Sequence, residues 1–145
     1  MIQVEMDELR TVNWNFTAIK NFEVRAKTIL GRLHATVPHI MIIDGKAVEV
    51  GTVPVANATA HLILARFGKV AEILEAAVGA STGLSWLEAK GQPSAAALAI
   101  DGWMARGNSL DELAETIYGE FLRASNPLAF AEREKSLEKQ KAEMT

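Results

Sequence analysis

The sequence contains no cysteine, no long hydrophobic run and no excess of basic residues. Without cysteine, disulfides, thiolate zinc sites, iron–sulfur clusters and cysteine nucleophiles are excluded. The longest nearly uncharged stretch, residues 47–64, is interrupted by Glu49, Pro54 and His61, whereas a membrane helix needs about 20 predominantly apolar residues. The 15 basic and 18 acidic residues give a net charge of −3, which lacks the basic excess typical of nucleic-acid-binding proteins.

The composition is that of one ordinary globular domain. The chain has 145 residues, of which 49% are hydrophobic and 23% charged, close to the averages for folded proteins. Its first residues include Glu5, Asp7 and Glu8, where a signal peptide would carry basic residues followed by an apolar segment. We therefore expect a cytoplasmic protein, with a single globular domain over residues 1–130 and a charged C-terminal helix or tail over residues 131–145.

Alternating apolar and polar residues predict extended structure in two places. Residues 2–6 and 12–16 alternate with period two, so either two short strands or one extended arm fits the N-terminus. Further on, apolar residues flank Asp44-Gly45, a pair suited to a type I′ turn because that turn needs positive φ at both positions. The sequence therefore predicts a β-hairpin near residues 40–50. Since an isolated hairpin is marginally stable in water, we expect it to pack on helices or to pair with the N-terminal strands.

Apolar residues at spacings of three and four predict helices over most of the remaining chain. The first helix begins with Thr17 as its N-cap and runs to about Leu33, and a strongly apolar helix runs from Asn57 to Val78, with Gly79 ending it. Four further helices are predicted to begin at the caps Ser85 (ending at Gly91), Ser94, Ser109 and Asn126-Pro127. The predicted fold class is α+β and predominantly helical, with five or six helices, a β-hairpin near residues 40–50 and possible N-terminal strands.

The sequence shows no arrangement of side chains typical of catalysis or metal binding. The histidines His34, His39 and His61 lack the spacing of three or four residues that helical zinc ligands use. The loop 79–83 is rich in glycine and serine, but Leu84 stands where a phosphate-binding loop carries its lysine. We therefore predict no catalytic, cofactor-binding or metal-binding residue, no cofactor and no enzyme activity.

The helix predicted over Asn57–Val78 is apolar on nearly every face, which favours a protein that binds a partner or itself. A domain of this size has limited interior in which to cover such a helix. We therefore predict a homo-oligomer or a complex with a partner protein. The candidate interface residues are Leu64, Phe67, Leu74, Trp86, Trp103 and Leu137.

The C-terminal segment, residues 131–145, differs in composition from the rest. Eight of its residues are charged, four of each sign, and its large apolar residues are Leu137 and Met144. This composition fits a solvated helix or frayed tail. It also fits a docking arm that becomes ordered on a partner, and the sequence leaves both interpretations open.

Two blocks of the sequence resemble the tail assembly chaperones of long-tailed phages and prophages. They are Leu9–Glu23, which contains Phe16-Thr17-Ala18-Ile19 and Phe22-Glu23, and Ala99–Leu113, a predicted helix–turn–helix with an Asp-Glu start to its second helix. The resemblance implies a helical accessory protein without catalytic residues, located in the host cytoplasm, that binds the tape-measure or tail-tube protein. The alternatives are a virion structural or connector subunit and a small regulatory protein that contacts nucleic acid through the basic residues of its first helix, Lys20, Arg25, Lys27 and Arg32.

Overall fold

The computed structural model describes residues 1–32, 36–54, 67 and 70–144, and confirms an α+β, predominantly helical fold. Within these residues there are four strands in two separate antiparallel pairs and five helices. None of the described helices is long and apolar enough to cross a membrane. The elements are β1 (Ile2–Glu5), β2 (Leu9–Val12), α1 (Phe16–Arg32), β3 (Thr36–Ile43), β4 (Lys46–Pro54), α2 (Ala71–Thr82), α3 (Ala95–Ala105), α4 (Leu110–Ser125) and α5 (Pro127–Met144).

The N-terminal residues form two short strands rather than one extended arm. β1 pairs antiparallel with β2, and Ile2 lies opposite Val12. The turn between them is held by an ion pair of 2.8 Å between Arg10 Nη2 and Asp7 Oδ2. Hydrogen bonding from the Arg10 guanidinium lowers the pKa of the Asp7 carboxyl, which keeps this carboxylate charged. The strand pair is joined to α2 by a hydrogen bond of 2.7 Å from the Asn13 amide to the Ser81 carbonyl.

The first helix begins one residue before its predicted cap. The backbone amide of Ala18 donates to Asn15 Oδ1 at 2.8 Å, so Asn15 caps α1 and the prediction of Thr17 is wrong. Both residue types suit an N-cap, and the trajectory of the chain leaving β2 decides between them. The predicted apolar face is buried at Phe22, Ala26 and Leu30. Leu33, the predicted end, lies outside the described residues.

The predicted hairpin is present and longer than expected. Asp44 (φ 52°) and Gly45 (φ 76°) form the predicted turn, and the strands extend to residues 36 and 54. The expectation that the hairpin packs on helices or pairs with the N-terminal strands is wrong for the described residues, because positions 41–52 are all exposed and the two sheets are separate. β1 and β2 are already paired with each other and packed beside α2.

The strongly apolar helix differs from the prediction at both ends of its described part. Val70 is extended (φ −123°, ψ 99°) and α2 begins at Ala71; residues 55–66, 68 and 69 of the chain lie outside the described part. Gly79 does not end α2, which continues to Thr82 and terminates at Gly83 in the left-handed conformation (φ 77°). Gly79 lies inside the helix, where the Trp86 side chain packs so closely on its Cα that a Cβ would not fit.

The short helix predicted from Ser85 to Gly91 is absent. Lys90 (φ 52°) and Gly91 (φ 74°) form a tight turn that places Ala89 opposite Gln92. The Ser85 carbonyl accepts a hydrogen bond of 2.9 Å from the Ala96 amide, so this carbonyl serves the start of α3 instead of a helix of its own. A tertiary contact has therefore replaced the local helical preference.

The last three helices begin at their predicted caps. Ser94 Oγ accepts from the Ala97 amide at 3.0 Å, and Ser109 Oγ accepts from the Glu112 amide at 3.1 Å. Pro127 is the first residue of α5, where its missing N–H costs no helical hydrogen bond. Local side-chain chemistry is sufficient to position these boundaries.

Five aromatic rings form a continuous chain through the core. Trp14 contacts Phe22 and Phe121 edge-to-face, with ring centroids 5.5 and 5.2 Å apart, and its Nε1 donates to the buried Ile117 carbonyl at 3.1 Å. Phe67 continues the chain between Phe22 and Tyr118. Edge-to-face pairs contribute about 0.5–1.5 kcal/mol beyond the area they bury, so these rings directly link α1, α4 and the segment between β2 and α1.

Gly102 on α3 allows the β1–β2 turn to approach the helix closely. A Cβ built at this position would lie 2.3 Å from Asp7 Cα, whereas a Cβ at Gly31 on α1 would have nothing within 4 Å. We expect Gly102→Ala to reduce the free energy of unfolding by about 1–3 kcal/mol, because backbone atoms must move. Gly31→Ala, the matched control, should increase it by about 0.5–1 kcal/mol. Urea denaturation measures both, and an unchanged stability of Gly102→Ala would contradict the close approach.

Burial raises the pKa of Tyr118, the one tyrosine of the chain. In the unfolded chain the phenol ionises near pH 10, so above this pH the unfolded state loses a proton that the folded state retains. The free energy of unfolding should therefore be unaffected by Tyr118 below that pH and should decrease as the pH rises through the folded pKa. Phenolate absorbance should titrate at higher pH in the folded protein than in denaturant, and coincident midpoints would contradict the burial.

Candidate protein-interaction surface

The structure separates the six candidate interface residues into different environments. Phe67 and Leu74 are 1% and 2% exposed and belong to the core. The assignment of Phe67 to an interface is therefore wrong for this structure, whereas Leu74 also lines a groove between α2 and α3 that is described below. A helix that is apolar on most faces can be covered by its own chain or by a partner, and its sequence is the same in both cases. In this structure its own chain covers these two residues. Leu64 lies outside the described residues. Trp86 and Trp103 are partly buried, and Leu137 is 38% exposed.

Trp86 packs against the backbone of α2 at Gly79. A Cβ built on Gly79 would lie 2.5 Å from Trp86 Cε3 and 2.9 Å from the Leu84 carbonyl oxygen. The indole therefore occupies the space that any other residue at position 79 would need. Trp86 positions the segment between α2 and α3, and it also lines the two cavities on either side of it.

One of these cavities is polar and has a volume of about 320 Å³. Its charged lining consists of Arg25 and Arg32 from α1 and Glu72, Glu75 and Glu88 from the facing segments. Arg32 Nη2 pairs with Glu72 Oε2, and Glu75 Oε2 accepts a hydrogen bond from Ser94 Oγ. Arg25 Nε is buried without a hydrogen-bond partner. The arrangement is a network of opposite charges that joins α1 to α2.

The second cavity beside Trp86 has a volume of about 520 Å³ and carries no charged side chain in its described lining. It is lined by Asn15, Asn21 and Ser85, together with small residues of α2. Across the described chain, no group of three or more acidic or histidine side chains is placed to hold a metal ion. His34 and His61 lie outside the described residues.

Trp103 has a structural contact rather than a free surface. Its Nε1 donates to the Ser109 carbonyl at 2.7 Å and so closes the turn between α3 and α4. This turn contains Gly107, whose φ of 87° favours glycine. The indole N–H of Trp103 is therefore used for a hydrogen bond within its own chain.

The hairpin carries an apolar surface that was not among the predicted interface residues. Met41 lies opposite Val48, and Ile43 and Val50 follow on the same face at a spacing of two. These four residues, the apolar hairpin face, are 39–47% exposed, and the exposed Lys46, opposite Ile43, lies on the same face at its turn end. The other face presents Ile42, which is 71% exposed. The sequence contained a signal, because residues 40–43 are apolar without alternation and so place apolar side chains on both faces of the hairpin, each of which needs a cover.

A smaller groove lies between α2 and α3. It has a volume of about 220 Å³ and an apolar lining that includes Leu74, Ile100, Met104 and Leu110. Glu72, Glu75 and Asp101 also line it, and none of the described residues around it is basic. We call this feature the α2–α3 groove. It combines an apolar centre with negative charge.

Comparison with known proteins identifies no relative of this chain. No family model matches the sequence, and neither a curated protein nor a solved structure is significantly similar to it. The functional interpretation therefore depends on the surfaces described above and on the resemblance of the two sequence blocks.

Exchanging Gly79 for alanine tests the position of Trp86. Because the new methyl group would meet the indole at 2.5 Å, Gly79→Ala should reduce the free energy of unfolding by about 1–3 kcal/mol. In a Trp86→Ala background the same exchange should cost less, since the 2.5 Å contact with the indole is gone and the contacts with the Leu84 carbonyl oxygen and the Cβ of residue 86, both at 2.9 Å, remain. Urea denaturation of the four proteins gives both values. Equal costs in the two backgrounds would show that the indole is not the obstacle.

Proposed function

We propose that this chain is a non-enzymatic protein-binding assembly factor that uses the apolar hairpin face to hold an apolar segment of a partner protein. The observation that carries the proposal is the exposure of Met41, Ile43, Val48 and Val50 on a hairpin that the described core does not cover. Exposed apolar side chains that share one face and are bordered by polar residues are typical of interaction sites.

The architecture of the hairpin suits capture of an extended segment. β3 and β4 pair only with each other among the described elements, so the outer edges of both strands have backbone groups available for a further strand. Addition of a strand would supply backbone hydrogen bonds, and the apolar side chains would supply the burial. A hairpin of two strands is marginal alone, and a bound segment would stabilise it.

The narrower proposal is a phage-type tail assembly chaperone that acts in the host cytoplasm. Its support is the resemblance of Leu9–Glu23 and Ala99–Leu113 to those chaperones, together with the exposed hairpin. A chaperone must release its client, and a hairpin outside the core can bind and release without disturbing the core. A virion connector subunit would use the same face for permanent contacts, and protein analysis of purified particles distinguishes the two, since a connector stays in the particle.

The nucleic-acid alternative has less support from the side chains. The basic residues of α1 do not form an uninterrupted positive face, because Arg32 pairs with Glu72 and Arg25 lines a cavity that contains three glutamates. Lys20 and Lys27 are exposed, but two lysines offer few phosphate contacts. We therefore keep protein binding as the proposed function.

The double variant Met41→Ser/Val48→Thr should lose partner binding while it keeps its fold. Both new side chains are polar, and threonine retains a preference for strands. The test is binding to a tape-measure or tail-tube protein, measured as the soluble fraction of that protein on co-expression and as a dissociation constant in a titration. We expect wild type to keep the partner soluble and the variant to lose at least about tenfold in affinity, which corresponds to about 1.4 kcal/mol.

The matched control is Ile42→Thr, an apolar-to-polar exchange on the opposite face of the same strand. It should leave binding nearly unchanged, and far-ultraviolet circular dichroism should be the same for all three proteins. Equal losses from both faces, or full binding by the double variant, would refute the assignment of the apolar hairpin face.

A further inference from the structure

The α2–α3 groove has room for one apolar side chain. Its volume of about 220 Å³ exceeds the about 150 Å³ cavity that admits benzene in an engineered protein core. Met104 is 47% exposed at this site, so the apolar lining is open to solvent. Methionine side chains adapt readily to an inserted group. The groove can therefore accept a single inserted side chain about the size of leucine, which a flat partner surface would not provide.

The acidic residues beside the groove restrict the charge of the segment that can carry the inserted side chain. Glu72 is paired with Arg32, and Glu75 accepts a hydrogen bond from Ser94. The Asp101 carboxylate, in contrast, has no partner within the described chain. A complementary ligand thus carries an apolar side chain next to a single cationic group, at a distance that allows the cation to reach Asp101.

Helix α5 presents this combination. Leu137 is 38% exposed, and Lys141, also exposed, lies four residues later and therefore on the same side of the helix. The residues of α5 beyond 130 whose burial is described are all exposed. Burial of an apolar face supplies most of the stability of helices in proteins, and this part of α5 has none within its own chain. Glu134, three residues before Leu137, already has an interaction of its own.

We propose that Leu137 of one copy occupies the α2–α3 groove of a second copy, with Lys141 of the first copy paired to Asp101 of the second. The occupant comes from another molecule because α5 is one continuous helix that keeps Leu137 exposed while the groove of the same chain is open. Two copies can exchange their α5 helices reciprocally, which gives a closed dimer with two identical contacts. The surface in each contact is small, so the dimer dissociates at about micromolar concentration.

This proposal is independent of the apolar hairpin face. The dimer uses α2, α3 and α5, and the hairpin remains free in it. Self-association would therefore persist in Met41→Ser/Val48→Thr, even where partner binding is lost.

Sedimentation of the full chain over a range of concentrations tests the dimer. Wild type should change from a monomer of 15.7 kDa to a dimer as concentration rises. Leu137→Ala should raise the dissociation constant at least about tenfold, whereas the matched control Leu128→Ala, at an exposed leucine near the start of α5, should not change it. Asp101→Lys and Lys141→Asp should each weaken the dimer, and combining both in one chain should restore it.

Cysteine pairs provide the second measurement, since the natural chain has no cysteine. A mixture of the Leu137→Cys and Met104→Cys proteins should form a mixed disulfide on oxidation, and a mixture of Leu128→Cys and Met104→Cys should not. A wild-type protein that stays monomeric at every concentration would overturn the proposal. So would a dimer that Leu137→Ala leaves intact, or one that the hairpin double variant abolishes.

Discussion

The position of Trp14 is the constraint on which the rest of the fold depends. Its indole donates a hydrogen bond to the Ile117 carbonyl at 3.1 Å and contacts Phe22 and Phe121 edge-to-face. A buried indole N–H without an acceptor would be costly, so the N-terminal segment can enter the core only with α4 in this place. Phe67 extends the same contact between α1 and α4. One side chain thereby joins the N-terminal segment to a helix about 100 residues later in the chain.

Two glycines inside helices then determine how closely the other segments approach. Gly79 admits Trp86 against α2, and Gly102 admits the β1–β2 turn at Asp7 against α3. Both positions lack space for a methyl group, because the Trp86 side chain packs on the backbone of α2 and the Asp7 backbone packs on that of α3. The residues of the hairpin and of the later part of α5 whose burial is described are exposed, which makes these elements well placed to meet other molecules.

Sequence reasoning was successful where local chemistry decides the structure. The caps at Ser94 and Ser109, the turn at Asp44-Gly45 and proline at the start of α5 all follow from hydrogen bonds or φ preferences within a few residues. It was wrong at Gly79, which resembles a helix stop, and at Ser85, which resembles a cap. In both cases the deciding contact, with Trp86 or with Ala96, is made after the chain turns back.

The sequence by itself determined the fold class, the hairpin turn and the starts of the last three helices, because periodicity and capping are properties of neighbouring residues. Only the tertiary structure decided which apolar residues are core and which are surface. Phe67 and Leu74 have the same chemistry as Ile43 and Val48, yet the first pair is buried and the second exposed. Hydrophobicity favours burial but does not choose the surface that provides it, since that choice depends on which elements meet in space.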